Sequence, residues 1–255
     1  MMIDLRERTI LLTGASRGIG AATARRLGEA GASLIAHYGS YRQGAEESVA
    51  EISPNARLLV RADLEQPGSA RTLWREAVDW RGRVDVVVVN AATMPTTAFD
   101  GTDQDWDEGW HTALQVNVLE PASLIREAVS HFVEHGGGTL IVLSSWAAQR
   151  GSAIPSLNAY AASKAALANL TQTVARNFAA QGVLAHVLAP GIVRTRLSEA
   201  SAAARGGIEG INAALAMGEM VPPEEVAELI AFLATGKCRH LTGATIDLNG
   251  ASNIR

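Results

Sequence analysis

The sequence predicts an α/β fold, in which a doubly wound parallel sheet of about seven strands carries helices on both faces. Short apolar runs alternate with longer segments of helical periodicity through nearly the whole chain, which is typical of strand–helix–strand units. Several runs are apolar at successive residues, as in strands buried on both faces of a sheet. The chain has 255 residues, of which 47% are hydrophobic, and this suffices for one large core. We therefore predict a single domain over residues 1–255.

The elements follow in order along this domain. Helical periodicity lies between the strands, for example over Gly20–Gly31 and Ser69–Trp80. Residues 197–220 differ, because they are rich in alanine and glycine and have no strand partner, so we predict a lid over residues 195–220. The predicted strands are Thr9–Thr13, Ser33–His37, Arg57–Arg61, Val84–Asn90, Gly138–Ser145, Val183–Ala189 and Ala244–Asn249.

Composition excludes several classes of function. The net charge is -4 and the charged residues are scattered, so no basic stripe points to nucleic acid and no basic amphipathic helix points to a membrane surface. Cys238 is the single cysteine, and no disulfide can form within the chain. The first residues lack the apolar region of a signal peptide, and no apolar run is long enough to cross a bilayer. We expect a soluble cytoplasmic protein.

A glycine-rich turn follows the first predicted strand. In "TILLTGASRGIG" the strand leads directly into Gly14, Gly18 and Gly20, and then into a helix. Glycine lets the backbone approach a pyrophosphate, and the helix offers free N–H groups and a positive dipole end. The spacing is G-x-x-x-G-x-G, which differs from the common dinucleotide fingerprint. The turn nevertheless predicts a phosphate-binding loop.

The same letters permit a second interpretation. "GASRG" fits the nucleophile elbow of a serine hydrolase, with Ser16 as the nucleophile. That class needs an earlier strand and loop to supply an oxyanion donor, and only about a dozen residues precede this turn. The hydrolase is therefore the lesser alternative.

A tyrosine and a lysine lie one helical turn apart in "NAYAASKAAL". Tyr160 and Lys164 share one helix face, because residues four apart are neighbours on a helix. A surface helix with a snorkelling lysine would explain the pair alone. A nearby ammonium also favours the phenolate and lowers a phenol's pKa, which would suit acid–base catalysis.

Taken together, these motifs resemble the short-chain dehydrogenase/reductase family, and in particular its 3-oxoacyl-ACP reductase-like members. The likeness runs from about Arg8 to the C-terminus and implies a Rossmann-like NAD(P)-binding domain. The matching segments are "TGASRGIG", "RADL" around Asp63, "VNAA" (Val89–Ala92), "LQVN" ending at Asn117, "IVLSS" ending at Ser145, "NAYAASK" and "APGIVRT" (Ala189–Thr195).

The resemblance implies four catalytic residues. Tyr160 would be the acid–base, Lys164 would lower its pKa and hold the nicotinamide ribose, and Ser145 would bind the substrate oxygen. Ser144 adjoins Ser145 and is the alternative serine. The Asn117 carbonyl would hold a water of a proton relay, since Pro121, four residues on, has no N–H to give it. A simple helix kink is the other interpretation of that proline.

The cofactor is predicted to be NADP(H) rather than NAD(H). An NAD site usually carries an acid after the second strand, and no Asp or Glu occurs from Ser33 to Ala45. Arg17, Ser40 and Arg42 would bind the 2′-phosphate. By resemblance the cofactor residues are Gly14, Ser16, Arg17, Gly18, Ile19, Gly20, Tyr38, Ser40, Arg42, Asp63, Leu64, Asn90, Ala91, Ala92, Tyr160, Lys164, Pro190, Gly191, Val193 and Thr195.

A substrate pocket is predicted around the catalytic residues. Its members are Met94, Ser145, Trp146, Leu157 and Tyr160. In "VNAA" the chain departs from the family's "NNAG", and Ala92 would narrow the space beside the nicotinamide. "HFVEH" (His131–His135) fits a zinc pattern, but no third ligand is evident and we predict no metal. Trp74, Trp80, Trp106 and Trp110 are at helical spacings and are interpreted as packing residues.

The predicted function is hydride transfer between NADP(H) and a carbonyl or secondary alcohol. A cofactor-binding sensor or scaffold is the alternative, because fold does not decide function. The substrate and the direction of reaction stay open. By resemblance the chain would form a homotetramer, or a homodimer, through helices around Glu120–His135 and Asn158–Gln181 and through the last strand. Ala161, Ala165, Ala168, Leu167 and Leu170 would supply an apolar contact surface.

Overall fold

The computed structural model describes residues 3–196, 198–199 and 207–254. Across these residues, seven parallel strands form one sheet in the order β3-β2-β1-β4-β5-β6-β7. The predicted α/β sheet is therefore confirmed, and no strand bound differs by more than two residues from its prediction. The strands are β1 (Thr9–Leu12), β2 (Ser33–Tyr38), β3 (Arg57–Arg61), β4 (Val86–Val89), β5 (Gly138–Leu143), β6 (Val183–Pro190) and β7 (Thr245–Leu248).

Helices connect the strands and cover both faces of the sheet. In the described part of the chain they are α1 (Gly18–Glu29), α2 (Arg42–Ser48), α3 (Ser69–Arg81), α4 (Asp103–Leu114), α5 (Glu120–Glu134), α6 (Ala147–Arg150), α7 (Asn158–Phe178), α8 (Gly207–Ala213) and α9 (Pro223–Ala234). None of the described helices has both the length and the hydrophobicity that a bilayer crossing requires.

Two apolar cores flank the sheet, because successive strand residues point to opposite faces. Ile10 and Leu12 of β1 pack on the α1 and α9 side, whereas Leu11 packs on the side of α3, α5 and α7. Covering both faces explains why several strands are apolar at successive positions.

The strand order reverses between β1 and β4. The chain runs outward from β1 through β2 to β3, and then returns to place β4 on the other side of β1. In open α/β sheets this switch point opens a crevice at the carboxyl ends of the strands, where ligands bind. The glycine turn after β1 and Asn90 after β4 both lie at this crevice.

A π-helical turn, Gln115–Leu119, joins α4 to α5. The N–H of Glu120 donates to the Gln115 carbonyl, five residues earlier, directly before Pro121. The interruption that Pro121 predicts is therefore a π-turn, a feature frequent at functional sites. The next residue, Glu120, is buried, and its carboxylate accepts the N–H groups of Gly68 and Ala70 at 2.9 and 2.8 Å, which ties α5 to the start of α3.

The predicted lid lies partly within the described residues. Ile211 of α8 packs with Met220, Ile192 and Leu215 in a small cluster separate from the two sheet cores. Val193 forms a parallel bridge with Val221, which holds the far end of the segment to its start. Residues 197 and 200–206 of the predicted lid lie outside the described residues.

Candidate active site

The glycine turn is so tight that a side chain would not fit at its glycine positions. A Cβ on Gly20 would lie 1.9 Å from the Gly14 carbonyl oxygen, and Gly14 itself has a φ of +72°. Gly18 has a φ of +54°, and a Cβ there would lie 3.0 Å from Thr195. Glycine is therefore required where a dinucleotide's phosphates would approach the start of α1. Ser16 and Ile19 are half-buried within the same turn.

Asn90 and Thr13 hold the turn to the end of β4. The Asn90 side-chain amide donates to the carbonyls of Thr13 and Gly14 at 2.9 and 3.1 Å. The Thr13 hydroxyl oxygen accepts the N–H groups of Asn90 and Ala91 at 2.9 and 3.0 Å. Sequence reasoning included Asn90 and Ala91 but missed Thr13, although it directly precedes Gly14. Ala92 is exposed beside this junction.

The two arginines predicted to bind the 2′-phosphate have different partners in the structure. The Arg17 guanidinium stacks on the ring of Tyr41 with its carbon 4.8 Å from the centroid, and no described acid pairs with it. Arg42 instead donates to Glu46 at 2.8 Å, and this contact, with Tyr38 nearby, raises the pKa of Arg42. Arg17 is thus the better placed cation for an anion. Sequence reasoning missed Tyr41, because only the fold brings it to Arg17.

The remaining adenosine-side residues lie at the ends of β2 and β3. Tyr38 ends β2 and is buried, and its carbonyl accepts the N–H of Ala62 at 3.1 Å. Asp63 is exposed and accepts the N–H of Glu65 at 3.1 Å. Ser40 is exposed and Leu64 is buried. All four residues lie at or just after the carboxyl ends of β2 and β3, and their role in binding adenosine stays a prediction.

Two adjacent serines follow β5 and have different partners. The Ser144 hydroxyl donates to the carbonyl of Lys164 at 2.9 Å. Ser145 is hydrogen-bonded to the Tyr160 side chain, and its oxygen accepts the N–H of Ala147 at 3.1 Å. Ser145 is therefore the serine that contacts the tyrosine, whereas Ser144 anchors the backbone of α7.

Tyr160 and Lys164 lie on one face of α7, as their spacing predicts. The Lys164 Nζ is 5.9 Å from the centre of the Tyr160 ring and donates to the Leu143 carbonyl at 2.7 Å. Burial lowers the pKa of Lys164 to about 8. Burial also raises the pKa of Tyr160, although the hydrogen bond with Ser145 opposes the shift. The expected lowering by Lys164 is therefore wrong for this structure, because desolvation of the phenolate dominates.

Asn117 lies in the π-turn and is fully buried. Its side-chain oxygen accepts the N–H of Thr93 at 2.8 Å, and its amide donates to the Thr93 carbonyl at 2.9 Å and the Ser163 hydroxyl at 3.0 Å. Ser163 in turn donates to the carbonyl of Tyr160 at 2.7 Å. The Asn117 side chain thus connects the loop after β4 to the turn of α7 that carries the tyrosine.

The segment after β6 closes the crevice on its other side. The Pro190 carbonyl accepts the N–H of Trp146 at 3.1 Å. A Cβ on Gly191 would lie 2.9 Å from the side chain of Asn249. Val193 is buried, and Thr195 contacts the glycine turn at Gly18. This segment therefore connects the carboxyl end of β6 to the predicted lid, and it contacts the glycine turn through Thr195.

Three apolar residues are predicted to line the substrate pocket together with Ser145 and Tyr160. Met94, Trp146 and Leu157 are half-buried. The Arg150 guanidinium stacks on the Trp146 ring at 4.3 Å, within α6. Thr97 and Asn158 hydrogen-bond at 3.0 Å and join the loop of Met94 to the start of α7.

The other sequence motifs have ordinary packing contacts. The rings of His131 and His135 stack at 3.9 Å, and His131 accepts the Val84 N–H at 3.2 Å. Within the described ranges, no three His, Cys, Asp or Glu side chains form a group able to hold a metal. The four tryptophans interpreted as packing residues all have ring contacts: Trp74 packs against His131, Trp106 packs against Trp110, and Trp80 stacks with Arg81.

Comparison with a family profile identifies the fold's relatives. A profile described as enoyl-(acyl carrier protein) reductase matches residues 14–251, from the glycine turn to beyond β7. The match therefore includes every element from α1 to β7.

Characterised proteins of similar sequence cover the chain almost completely. A 3β-hydroxysteroid dehydrogenase 1 from Eggerthella lenta is 32% identical over 266 residues, covering 100% of this chain and 97% of the relative. A cis-4-hydroxycyclohexanecarboxylate dehydrogenase from Sinomonas cyclohexanicum is 32% identical over 251 residues, with 96% of each chain covered. Dehydrogenase/reductase SDR family member 4 from Bos taurus is 33% identical over 252 residues, covering 97% and 88%.

A solved structure shares the architecture. The 3-oxoacyl-(acyl-carrier-protein) reductase of Agrobacterium tumefaciens, determined with NADP bound, superposes with a TM-score of 0.86 at 32% identity and covers 98% of this chain and 95% of its own. The profile, the relatives and this structure agree on one group of NAD(P)-dependent oxidoreductases. The chain belongs to the short-chain dehydrogenase/reductase family.

Proposed function

We propose that the protein transfers a hydride between NADP(H) and a carbonyl or secondary alcohol, with Tyr160 as the acid–base. One observation carries the proposal: Ser145, just after β5, interacts with the Tyr160 side chain and lowers its pKa, and the buried Lys164 lies 5.9 Å from the centre of the Tyr160 ring. A protein that only binds a dinucleotide has no need of this group. The sensor or scaffold alternative has no comparable observation in its favour.

The residues of the crevice fit a dinucleotide. The glycine turn leaves no room for a Cβ at Gly20, and Arg17 offers an unpaired guanidinium on the adenosine side. When bound, the nicotinamide supplies or accepts the hydride. The turn and the start of α1 would hold the pyrophosphate, and Lys164 would hold the nearby ribose hydroxyls.

Tyr160 would donate the proton that completes a carbonyl reduction. Its raised pKa keeps the phenol protonated near neutral pH, which is the state that a general acid needs. Ser145 would bind the substrate oxygen beside the phenol and stabilise developing negative charge. The Lys164 ammonium, with a pKa of about 8, lies where it can stabilise the phenolate left after proton donation.

Asn117 would keep Tyr160 in position. Its amide links the Thr93 backbone to Ser163, which holds the first turn of α7 at the tyrosine carbonyl. The side chain is fully used in these contacts, so a relay through this residue would use its main chain at the π-turn. This is the role that the position of Pro121 suggests.

An apolar ketone or secondary alcohol is the favoured substrate class. The residues predicted to line the pocket with Ser145 include Met94, Trp146 and Leu157, which are apolar and half-buried, and such surface would not solvate a sugar's hydroxyl groups. Two relatives have names that specify ring-bearing alcohols, a hydroxysteroid and a hydroxycyclohexanecarboxylate. A cyclic secondary alcohol is consistent with both the pocket and these names.

Assembly through α5 and α7 is also proposed, as a homotetramer or a homodimer. These helices border a groove lined by Ile125, Val129 and Val133 from α5 and by Leu170, Val174 and Phe178 from α7. Val133 is 39% exposed, so apolar surface reaches solvent there. Two of the residues predicted for this surface, Ala161 and Leu167, are buried in the chain's own structure and do not contribute.

The function is tested by following NADPH oxidation against a panel of cyclic ketones, small ketones, a β-ketoacyl thioester and aldoses, with NADH in parallel. Tyr160→Phe should bind NADPH like the wild type and lower turnover by about 10² to 10⁴, because only the proton donor is removed. Cofactor binding without turnover of any panel member would instead favour the sensor. A Phe variant with most of its turnover would refute the role of Tyr160.

A further inference from the structure

His37 is buried at the end of β2, directly beneath the glycine turn. The side chain is 2% exposed. Its Nδ1 lies 3.1 Å from the backbone nitrogen of Gly14, and its Nε2 lies 2.9 Å from the carbonyl oxygen of Ala62. The carbonyl of His37 also accepts the N–H of Ala15 at 2.9 Å. Both ring nitrogens and the main chain are thus occupied in joining the turn to β2 and β3.

These partners determine the form of the ring. A backbone N–H can only donate, so Nδ1 accepts from Gly14 and carries no proton. Nε2 then carries the proton and donates it to the Ala62 carbonyl. The neutral imidazole therefore bridges the glycine turn and the end of β3, and both ring nitrogens are unavailable to act as a base for Ser16.

We propose that His37 is a positioning residue for the dinucleotide, because it fixes the main chain of the glycine turn at Gly14. The proposal rests on the proposed cofactor binding. Gly14 has a positive φ and is followed by the turn that would contact the phosphates. Without an acceptor the partly buried Gly14 N–H would lose its hydrogen bond, and the turn would relax away from the conformation that the cofactor needs.

Protonation should weaken this bridge. An imidazolium would present an N–H to the Gly14 N–H, so donor would face donor. The pKa of His37 is lowered by burial, and the Ala62 carbonyl opposes that shift. Tyr38 follows His37 on β2, Arg17 lies in the turn, and Arg61 and Asp63 flank Ala62 at the end of β3; none of these titratable or charged residues is a cause of the shift. Cofactor affinity should therefore decline only as the pH falls through the lowered pKa of His37, below its ordinary value of 6.5.

Two variants separate hydrogen bonding from titration. His37→Asn can accept from Gly14 through an oxygen at the position of Nδ1, and it does not titrate, although its shorter amide loses the contact of Nε2 with Ala62. His37→Leu keeps the bulk and loses both bonds. At pH 8, we expect His37→Leu to weaken NADPH binding about tenfold, measured by calorimetry, and His37→Asn to bind within about threefold of the wild type. Turnover at saturating NADPH should change little in either variant, because the loss is in binding.

The pH series completes the test. As the pH is lowered from 8 through the lowered pKa of His37, the wild-type dissociation constant should rise more steeply than that of His37→Asn. The titration of the cofactor's own phosphate is common to both proteins and cancels in the comparison. His186→Asn is the matched control, since His186 is buried on β6 with a lowered pKa and contacts Leu241. It should retain the wild-type dependence.

The outcomes distinguish this proposal from the proposed function. A wild type that binds neither NADPH nor NADH refutes cofactor binding itself. A wild type that binds, together with a His37→Leu variant of unchanged affinity, overturns the role of His37. If His37→Leu fails to fold, as judged by circular dichroism, identical pH dependence in the wild type and His37→Asn overturns it instead.

Discussion

Two neighbouring serines that follow β5 have different partners. Ser145 contacts Tyr160, whereas Ser144 donates to the main chain of Lys164. Both residues are serines at adjacent positions. Only the direction of the side chain would therefore give Ser145 the proposed substrate-binding role and Ser144 a structural one.

We expect Ser145→Ala to reduce turnover by about 10² to 10³, as when a donor to a developing oxyanion is removed. Ser144→Ala is the matched control and should leave turnover within a few-fold, while lowering the free energy of unfolding by about 1 kcal/mol through the lost hydrogen bond. Steady-state kinetics and thermal unfolding measure the two effects. Reversed results for the two variants would transfer the catalytic role to Ser144.

Arg17 is the residue expected to distinguish the two cofactors. Its guanidinium is exposed, stacked on Tyr41 and free of described acids, so a 2′-phosphate would find it unpaired. Arg17→Gln should lower kcat/KM for NADPH about tenfold or more and leave the value for NADH nearly unchanged. Arg25→Gln, an exposed arginine farther along α1, is the control. Equal losses with both cofactors would show that Arg17 does not recognise the 2′-phosphate.

Because His37 is buried, it is a poor position at which to change the preference between NADPH and NADH. An acid at His37 would lose the contacts to Gly14 and Ala62 as well as repel a phosphate, so its effect could not be interpreted. Tyr38 is the better position, because it ends β2 beside Arg42. Comparing Tyr38→Asp with Tyr38→Asn would isolate the effect of the negative charge on the preference between NADPH and NADH.

At the scale of elements, α7 carries the residues proposed for catalysis and also contacts other elements of the fold. One turn of this helix carries Tyr160 and Lys164 toward the crevice, and Ser163 between them hydrogen-bonds Asn117. The π-turn of Asn117 is in turn continuous with α5 through Glu120, whose carboxylate holds the start of α3. The tyrosine is therefore supported by several elements that are distant from it in sequence.

The segment between β6 and α9 is the element expected to move. Its described part packs in a small cluster of its own, around Ile211 and Met220, and Gly218 has a φ of +73°. Limited proteolysis should cut between residues 197 and 220 first, and NADPH with a substrate analogue should slow that cleavage several-fold, because a closing lid buries its backbone. Cleavage at the same rate with and without ligands would contradict a lid.

At the scale of the whole molecule, the groove between α5 and α7 is the expected contact between copies. A symmetric pair would bury the same apolar residues on both chains. Light scattering coupled to size exclusion should give a multiple of the 26.8 kDa chain mass. Val133→Arg should shift the protein toward smaller species, since it places a charge in the groove, and Thr72→Arg on the exposed face of α3 should not. A wild-type mass near one chain at micromolar concentration would exclude the assembly.

The sequence by itself determined the sheet, the glycine turn and the spacing of Tyr160 and Lys164. These features are local: apolar runs form strands, a turn needs glycines at fixed offsets, and residues four apart share a helix face. The order of family motifs added the catalytic set and the class of reaction. For these reasons the strand bounds agree with their predictions to within two residues.

Only the tertiary structure decided which residues act together. His37 meets a nitrogen 23 positions away and Asn90 meets carbonyls 76 and 77 positions away, and no local pattern encodes such pairs. The direction of the Tyr160 pKa shift was likewise undetermined, because spacing indicated a lowering by Lys164 and burial raises it instead. Hydrogen bonds and desolvation depend on the distances and burial that folding creates, so they can be known only after the chain is folded.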